Sequence, residues 1–401
     1  MSLASAAVVA AIAVLAPLCV TLAGLRVPPI VLEILLGVVV GPQVLGWASV
    51  DDPVAVLALV GLAFLLLLAG LELDLDRLRG RRLGLALVGF AASFALAVGA
   101  GVLLHAGDLV ASPLLIAVIL SATSLGIVVP VLQDAGAIGT PVGQLVIAGA
   151  SVAEVVPIVL LSLLFSERSP GVTAQAALLV AFLAFVAAVA AVVLGLERSR
   201  RISAALLALQ DTTSEIRVRG AVLLLMVFVA LASAFGLEAI LGAFLAGATL
   251  KLIDRDEEMT HTRFHGKLRA VGFGAFVPFF FVATGMQLDV EGLVANPETL
   301  ARVPVFLVAL LAVRALPALL YRPLTGTHRE LAAAGLLQAT SLSIPIVAGQ
   351  IGVELGLIRP ENHVALVAAG LLSVVLFPQL ALRLLTPSGR RRGDARAGRP
   401  R

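Results

Sequence analysis

The chain has 401 residues, of which 60% are hydrophobic and 13% are charged, and its formal net charge is +3 at pH 7. A soluble domain of this composition would expose much apolar surface to water, so the sequence excludes an ordinary globular protein. A nucleic-acid partner is not expected either, because the basic residues lie in short loops between hydrophobic runs. Those runs are about 20 residues long, enough to cross a hydrocarbon layer of ~30 Å, and they predict an all-α polytopic membrane protein.

Thirteen transmembrane segments are predicted from these runs. In chain order they cover residues 3–24, 28–47, 53–71, 83–104, 113–134, 141–166, 174–195, 219–234, 238–252, 271–287, 302–320, 330–352 and 362–385. The eighth and ninth segments are short for a full crossing, so we expect a tilt or a locally thinned bilayer there. The predicted membrane domain therefore extends over residues 1–385.

The distribution of lysine and arginine over the loops predicts which way the chain crosses the bilayer. With thirteen crossings the termini face opposite sides, and the loops on one side hold 24 of the 28 cationic residues while those on the other hold three. Because basic loops remain in the cytoplasm, we expect the N-terminus outside and the C-terminus inside. Residues 196–218 are then a cytoplasmic linker, and residues 386–401 form a basic, disordered cytoplasmic tail close to anionic lipid.

The sequence Ala-Thr-Ser-Leu occurs twice, at residues 122–125 and 339–342, inside the fifth and twelfth segments. These segments cross the membrane in opposite directions, as the inverted repeats of transporters do. Hydroxyl groups can satisfy freed backbone groups, and Pro130 or Pro345 downstream blocks the helical ladder, so both segments are predicted to break at mid-membrane. The alternative is that these serines and threonines bond to the preceding turn and only provide small packing surfaces.

Glu154 lies in the middle of the sixth segment, next in the chain to the first predicted break. Ionisable residues are costly at this depth, so an intramembrane carboxyl group indicates function. Such a group can hold either a proton or a cation, which is the minimum chemistry of an antiporter. The alternative interpretation is a structural carboxylate that pairs with an arginine.

Arg314 lies in the eleventh segment. Because its side chain keeps its proton, we expect it to be a fixed counter-charge, either for Glu154 or for the C-terminal ends of the broken helices. A purely structural role and a gating role both remain open for it. Trp47 and Tyr321 are interpreted as interfacial anchors.

Four stretches of the chain resemble the monovalent cation:proton antiporter superfamily. They are PPIVLEILLGVVVGPQVLG, FLLLLAGLELDLDRLR, LEAILGAFLAGATL and VPFFFVATGMQLDV. The most similar branch contains bacterial sodium/proton exchangers and the membrane domains of Kef-type potassium-efflux proteins, and the resemblance covers about residues 5–385. It implies thirteen helices with inverted-topology repeats and two crossed discontinuous helices, with dimerisation and core subdomains interleaved in the sequence. It also implies elevator-like exchange, usually by a homodimer in the bacterial plasma membrane.

The resemblance assigns roles to individual positions. It puts four residues at the crossing of the broken helices: Thr123, Ser124, Thr340 and Ser341. Arg314 falls where the family has a basic residue. The family usually carries an Asn-Asp, Asp-Asp or Gln-Asp pair in the sixth helix, where this chain has Ala153 and Glu154. Glu154 keeps the carboxylate while Ala153 removes the second polar group, which favours one-for-one, electroneutral exchange.

The sequence therefore predicts a secondary transporter that exchanges Na⁺ or K⁺ for H⁺ and is not an enzyme. We expect no cofactor, and no metal apart from the transported cation at Glu154. A channel-like potassium-efflux subunit, gated by a separate regulatory subunit, is the alternative. A solute:sodium symporter would fit broken helices but not the family motifs, and an intramembrane enzyme would need further catalytic or metal-binding groups at depth.

Overall fold

The computed structural model describes residues 3–24, 27–72, 80–107, 109–134, 136–165, 172–197, 215–253, 258–295 and 297–385. Within these ranges every regular element is a helix, which confirms the predicted all-α class. Nine helical stretches are long and apolar enough to cross a membrane and four more are shorter apolar helices, and together they correspond one to one to the predicted segments. Most of the predicted linker and the whole predicted tail lie outside the described residues.

Seventeen α-helices follow one another in the described part of the chain. They are α1 (Ala4–Leu22), α2 (Pro29–Val40), α3 (Asp52–Glu72), α4 (Gly80–Ala106), α5 (Pro113–Leu120), α6 (Leu125–Asp134), α7 (Pro141–Leu164), α8 (Val172–Glu197), α9 (Ile216–Ala234), α10 (Ala239–Ile253), α11 (Glu258–Val271), α12 (Val277–Gln287), α13 (Val290–Ala295), α14 (Pro297–Ala315), α15 (His328–Gln338), α16 (Ser343–Glu354) and α17 (Pro360–Leu385). A π-helical turn, Gly272–Phe276, joins α11 to α12, and a 3₁₀ turn, Pro317–Leu324, follows α14.

The chain forms two compact units, and each of them draws on two separate stretches of sequence. The first unit consists of Met1–Leu73 and Ile158–Glu291, and the second unit consists of Asp74–Pro157 and Gly292–Arg401. The long helix α7 contributes residues to both. That one unit serves dimerisation and the other serves transport remains a prediction.

In the first unit, α2 and α12 pack backbone against backbone through glycine. A Cβ atom on Gly37 would lie 2.3 Å from the carbonyl oxygen of Val282, and one on Gly285 would lie 2.1 Å from that of Ile34. Only a residue without a side chain fits at either position. Lipid tails are as apolar as the side chains, so helices in a membrane gain most from this close approach and the dispersion contacts that it allows.

The second unit contains the two broken helices, at the positions that the sequence predicts. Helix α5 ends at Leu120 and α6 begins at Leu125, while α15 ends at Gln338 and α16 begins at Ser343. The four-residue breaks thus coincide with the hydroxyl-bearing residues and not with the prolines. Both prolines lie in the following half-helices, and Pro345 occupies the first turn of α16, where no backbone donor is needed.

Both broken helices begin at a start signal that can be read in the sequence. Ser112 accepts a hydrogen bond from the N–H of Leu115, and Pro113 is the first residue of α5. Thr327 and Glu330 form a reciprocal capping box at the start of α15. A buried cluster that includes Leu125, Val146 and Leu337 then packs α6, α7 and α15 together and so positions the breaks.

Candidate functional site: the crossing of the broken helices

The two breaks meet inside the second unit, and Ser124 joins them. Its N–H donates to the carbonyl oxygen of Thr340 at 2.9 Å, and its Oγ accepts from the N–H of Leu342 at 3.0 Å. The first N–H groups of a helix have no partner within that helix, so the hydroxyl of one broken helix caps the second half of the other. Thr123, Thr340 and Ser341 are completely buried, and Ser124 is 4% exposed. The structure therefore brings the four predicted crossing residues together away from solvent.

Glu154 lies on α7 beside the first break and is 5% exposed. Its Oε2 accepts a hydrogen bond of 3.1 Å from the N–H of Leu125, the first residue of α6. The carboxylate is thus bound at the positive end of a half-helix, where backbone donors and the helix dipole favour negative charge. The carbonyl oxygen of Ala153 accepts from the N–H of Thr123 at 3.1 Å, so α7 contacts the break with its backbone as well.

Ala153 occupies the position at which the family resemblance implies a second polar side chain. It is completely buried and belongs to an apolar cluster with Ala86 and Phe90 of α4. A polar group at this position would lose its hydration in apolar surroundings. The pair Ala153-Glu154 therefore presents one carboxylate to the break and an apolar surface to α4.

Arg314, near the end of α14, is 2% exposed, and its guanidinium donates hydrogen bonds to three other parts of the chain. Its Nε donates to Thr123 Oγ1 at 3.0 Å and to the carbonyl oxygen of Gln338 at 3.3 Å. Its Nη1 donates to Ser93 Oγ at 2.9 Å, and its Nη2 donates to Gln338 Oε1 at 2.5 Å. Gln338 is the last residue of α15, so the cation lies at the negative end of a half-helix, one of the two locations that the sequence leaves open for it.

Several residues of this network cannot be assigned from the sequence. Gln338 directly precedes the second Ala-Thr-Ser-Leu, and its position at a helix end is the signal that could have drawn attention to it. Ser93 has no such signal. The interpretation of Tyr321 as an interfacial anchor is wrong, because the residue is 3% exposed and its hydroxyl accepts from Gln338 Nε2 at 3.2 Å. Trp47, in contrast, is 67% exposed, as an anchoring side chain would be.

The hydroxyl of Ser341 has no hydrogen-bond partner among the described residues, although the residue is completely buried. Its backbone is held instead, because its N–H donates to Ser373 Oγ at 3.1 Å and Ser373 Oγ bonds its carbonyl oxygen at the same distance. Buried polar atoms normally have partners, so an unpartnered oxygen at a crossing of broken helices is a candidate ligand. In the part of the chain that the structure describes, no group of three or more His, Cys, Asp or Glu side chains could hold a metal ion.

The family whose description is "Sodium/hydrogen exchanger, transmembrane" matches residues 10–383 of the chain. The YjbQ protein of Bacillus subtilis (strain 168), which is named as an Na⁺/H⁺ antiporter, is 29% identical over 392 residues. That similarity covers 94% of this chain, which spans 62% of the length of YjbQ. GerN of Bacillus cereus, named as an Na⁺/H⁺-K⁺ antiporter, is 25% identical over 369 residues, which are 88% of this chain and 89% of GerN.

A solved structure shares the fold. The sodium proton antiporter MjNhaP1 from Methanocaldococcus jannaschii, at pH 8, superposes with a TM-score of 0.65 and 18% identity over 96% of this chain and 99% of that chain. The matching family is described as an exchanger and these relatives are named as antiporters, not as enzymes, which confirms the prediction of a transporter. With a family match over nearly its whole length and crossed broken helices in its second unit, the chain belongs to the transmembrane sodium/hydrogen exchanger family.

Proposed function

We propose that this chain exchanges a monovalent cation, Na⁺ or K⁺, for protons across a bacterial plasma membrane, and that Glu154 holds the two ions in turn. The observation that carries the proposal is the buried carboxylate of Glu154 on the first N–H of α6, at the crossing of two broken helices. A carboxylate in this position can bind a proton or a cation but not both at once. Because the cation and the proton compete for the same carboxylate, the flux of one is coupled to the flux of the other.

The other groups at the crossing support this role. Unwound backbone and hydroxyl groups can replace the hydration shell of an alkali cation, and Thr123, Ser124, Thr340 and Ser341 supply both. Arg314 at the C-terminal end of α15 supplies a fixed positive charge that needs no transported ion. Since Ala153 packs in an apolar cluster, the site offers one exchangeable charge, and we propose one-for-one, electroneutral exchange.

The transport cycle that we propose is elevator-like. All the residues of the crossing belong to the second unit, so they can move as one body and carry the bound ion with them. We further propose a homodimer with the N-terminus outside and the C-terminus in the cytoplasm, in accordance with the distribution of basic residues over the loops. A separate regulatory subunit would act on this exchange cycle.

The experiment that tests the proposal is a proton-flux assay in proteoliposomes with an internal pH dye. Na⁺, K⁺ and Li⁺ are added in turn to the wild type and to Glu154→Gln, which keeps the shape of the side chain but cannot ionise. We expect cation-dependent proton movement in the wild type and its loss in the variant, with no current when the exchange is electroneutral. Proton movement that survives in Glu154→Gln would assign the site to another residue, and cation flux without proton movement would indicate a channel.

A further inference from the structure

The guanidinium of Arg314 is held by neutral groups. Its three nitrogens donate to the hydroxyls of Thr123 and Ser93 and to the backbone and side-chain oxygens of Gln338. Charge-assisted hydrogen bonds are strong, but neutral acceptors do not cancel the charge. The positive charge therefore remains available to attract the next anionic group within reach.

Glu154 is such a group, and it binds to the same short break. Arg314 bonds Thr123 and Glu154 bonds the backbone of Leu125, two residues further along the chain. Two residues of extended chain span at most ~7 Å, so the two opposite charges are anchored on neighbouring points of the same segment. If Arg314 left its neutral partners, its long side chain could pair with Glu154 and would then compete with a transported cation.

The amide of Gln338 has to keep one orientation to hold Arg314. Arginine has donors and no acceptor, so the amide oxygen must face it and the amide NH₂ must face elsewhere. Tyr321 provides the acceptor, because its hydroxyl receives a hydrogen bond of 3.2 Å from Gln338 Nε2. A rotation of the amide by half a turn would place donors against donors. The tyrosine hydroxyl thus fixes which atom of Gln338 meets the guanidinium.

Two glycines make room for this arrangement. A Cβ atom on Gly149 of α7 would lie 2.2 Å from Gln338 Nε2 and 2.9 Å from the hydroxyl of Tyr321. One on Gly89 of α4 would lie 2.9 Å from the same hydroxyl. The amide and the phenol are therefore enclosed between two helices that have no side chain at the point of contact. Gly149 lies on the helix that carries Glu154.

We propose that Tyr321 and Gln338 are positioning residues, which hold Arg314 on neutral acceptors and so keep its guanidinium from competing with the transported cation for Glu154. This inference rests on the proposed exchange at Glu154 and adds to it a determinant of cation affinity. Neither residue needs to touch the cation. Their effect on transport is exerted through the location of one charge.

The test separates the apparent KM for the cation from the maximal rate of exchange, in proteoliposomes of wild type, Tyr321→Phe, Gln338→Leu and Gly149→Ala. Loss of a hydrogen bond that holds the charge should raise the apparent KM by about two- to tenfold, with the maximal rate within about a factor of two. The double variant Tyr321→Phe/Gln338→Leu should be no worse than Gln338→Leu, since the tyrosine acts through the amide. The matched control is Gly99→Ala on α4, where an added Cβ meets no atom within 4 Å and both constants should be unchanged.

An unchanged apparent KM in Tyr321→Phe and Gln338→Leu, or a loss confined to the maximal rate, would overturn the inference. If the wild type exchanges no cation, the proposed function has failed. The roles of Tyr321 and Gln338 are then tested by thermal unfolding of the same four proteins and of the double variant. Non-additive losses of Tyr321→Phe and Gln338→Leu in that cycle support the hold on Arg314 without any transport. Strictly additive losses would contradict it.

Discussion

The two units of this protein differ in the contacts between their central helices. In the first unit, glycines let backbones approach one another directly, as at the crossings of α2 with α12 and of α3 with α10. In the second unit, the central contacts are hydrogen bonds among hydroxyls, an amide, a guanidinium and unwound backbone. The first kind of contact depends on shape alone and tolerates no added atom. The second kind keeps polar groups at membrane depth, where they can serve an ion.

The largest effect should come from adding one carbon atom to a glycine crossing of the first unit. In Gly247→Ala the new Cβ would lie 2.0 Å from the carbonyl oxygen of Leu67, so α3 and α10 must separate. We expect a loss of about 3 kcal/mol in the free energy of unfolding, at the upper end of what overpacking costs. Thermal unfolding in detergent measures it.

The same substitution elsewhere in the first unit provides the control. Gly220 lies on α9, and a Cβ there meets no atom within 4 Å. Gly220→Ala should therefore leave the unfolding temperature unchanged or raise it slightly, because alanine favours the helix. Equal losses in the two variants would contradict the account of the glycine crossings.

A smaller loss of stability is expected in the second unit from a substitution that removes a hydroxyl group and adds no volume. Thr123→Val keeps the shape of the side chain but removes the hydroxyl that accepts from Arg314 Nε and donates to the carbonyl oxygen of Gln338. Because a charged partner loses an acceptor in a buried site, we expect a loss of about 1–3 kcal/mol in the free energy of unfolding. The rate of cation exchange should fall as well.

Thr340→Val is the matched control, since both threonines are completely buried at the crossing. Among the described residues, the hydroxyl of Thr340 donates to the carbonyl oxygen of Leu336, one turn earlier in α15. Removing it should cost less than removing that of Thr123, by the difference between a neutral local bond and a charge-assisted one. A reversed order would show that Arg314 is not the partner that matters.

The breaks and the buried carboxylate could be predicted from the sequence because they contrast with an apolar background. In a segment of leucine, valine and alanine, a run such as Thr123-Ser124 or a single Glu154 is conspicuous. Membrane depth follows from segment length alone, and the cost of a polar group there then points to function. The thirteen segments could be located for the same reason.

The partners of these groups could not be predicted, because they depend on which helices cross. Tyr321 lies close to the end of a hydrophobic segment, which by composition fits an interfacial anchor, yet Gly89 and Gly149 admit its hydroxyl into the interior. Gln338 acquires its role only when α14 brings Arg314 to the end of α15. The two prolines are also conspicuous in the sequence, but they do not form the breaks. Both follow the breaks and lie within the second half-helices.

The most direct test of the shared carboxylate is the number of protons that the purified protein releases when it binds a cation. Calorimetric titration in buffers of different ionisation enthalpy gives this number without any membrane or gradient. If Glu154 holds the two ions in turn, binding to the protonated protein should release about one proton per cation, and Glu154→Gln should release none. Cation binding without proton release in the wild type, or release that persists in Glu154→Gln, would contradict the account.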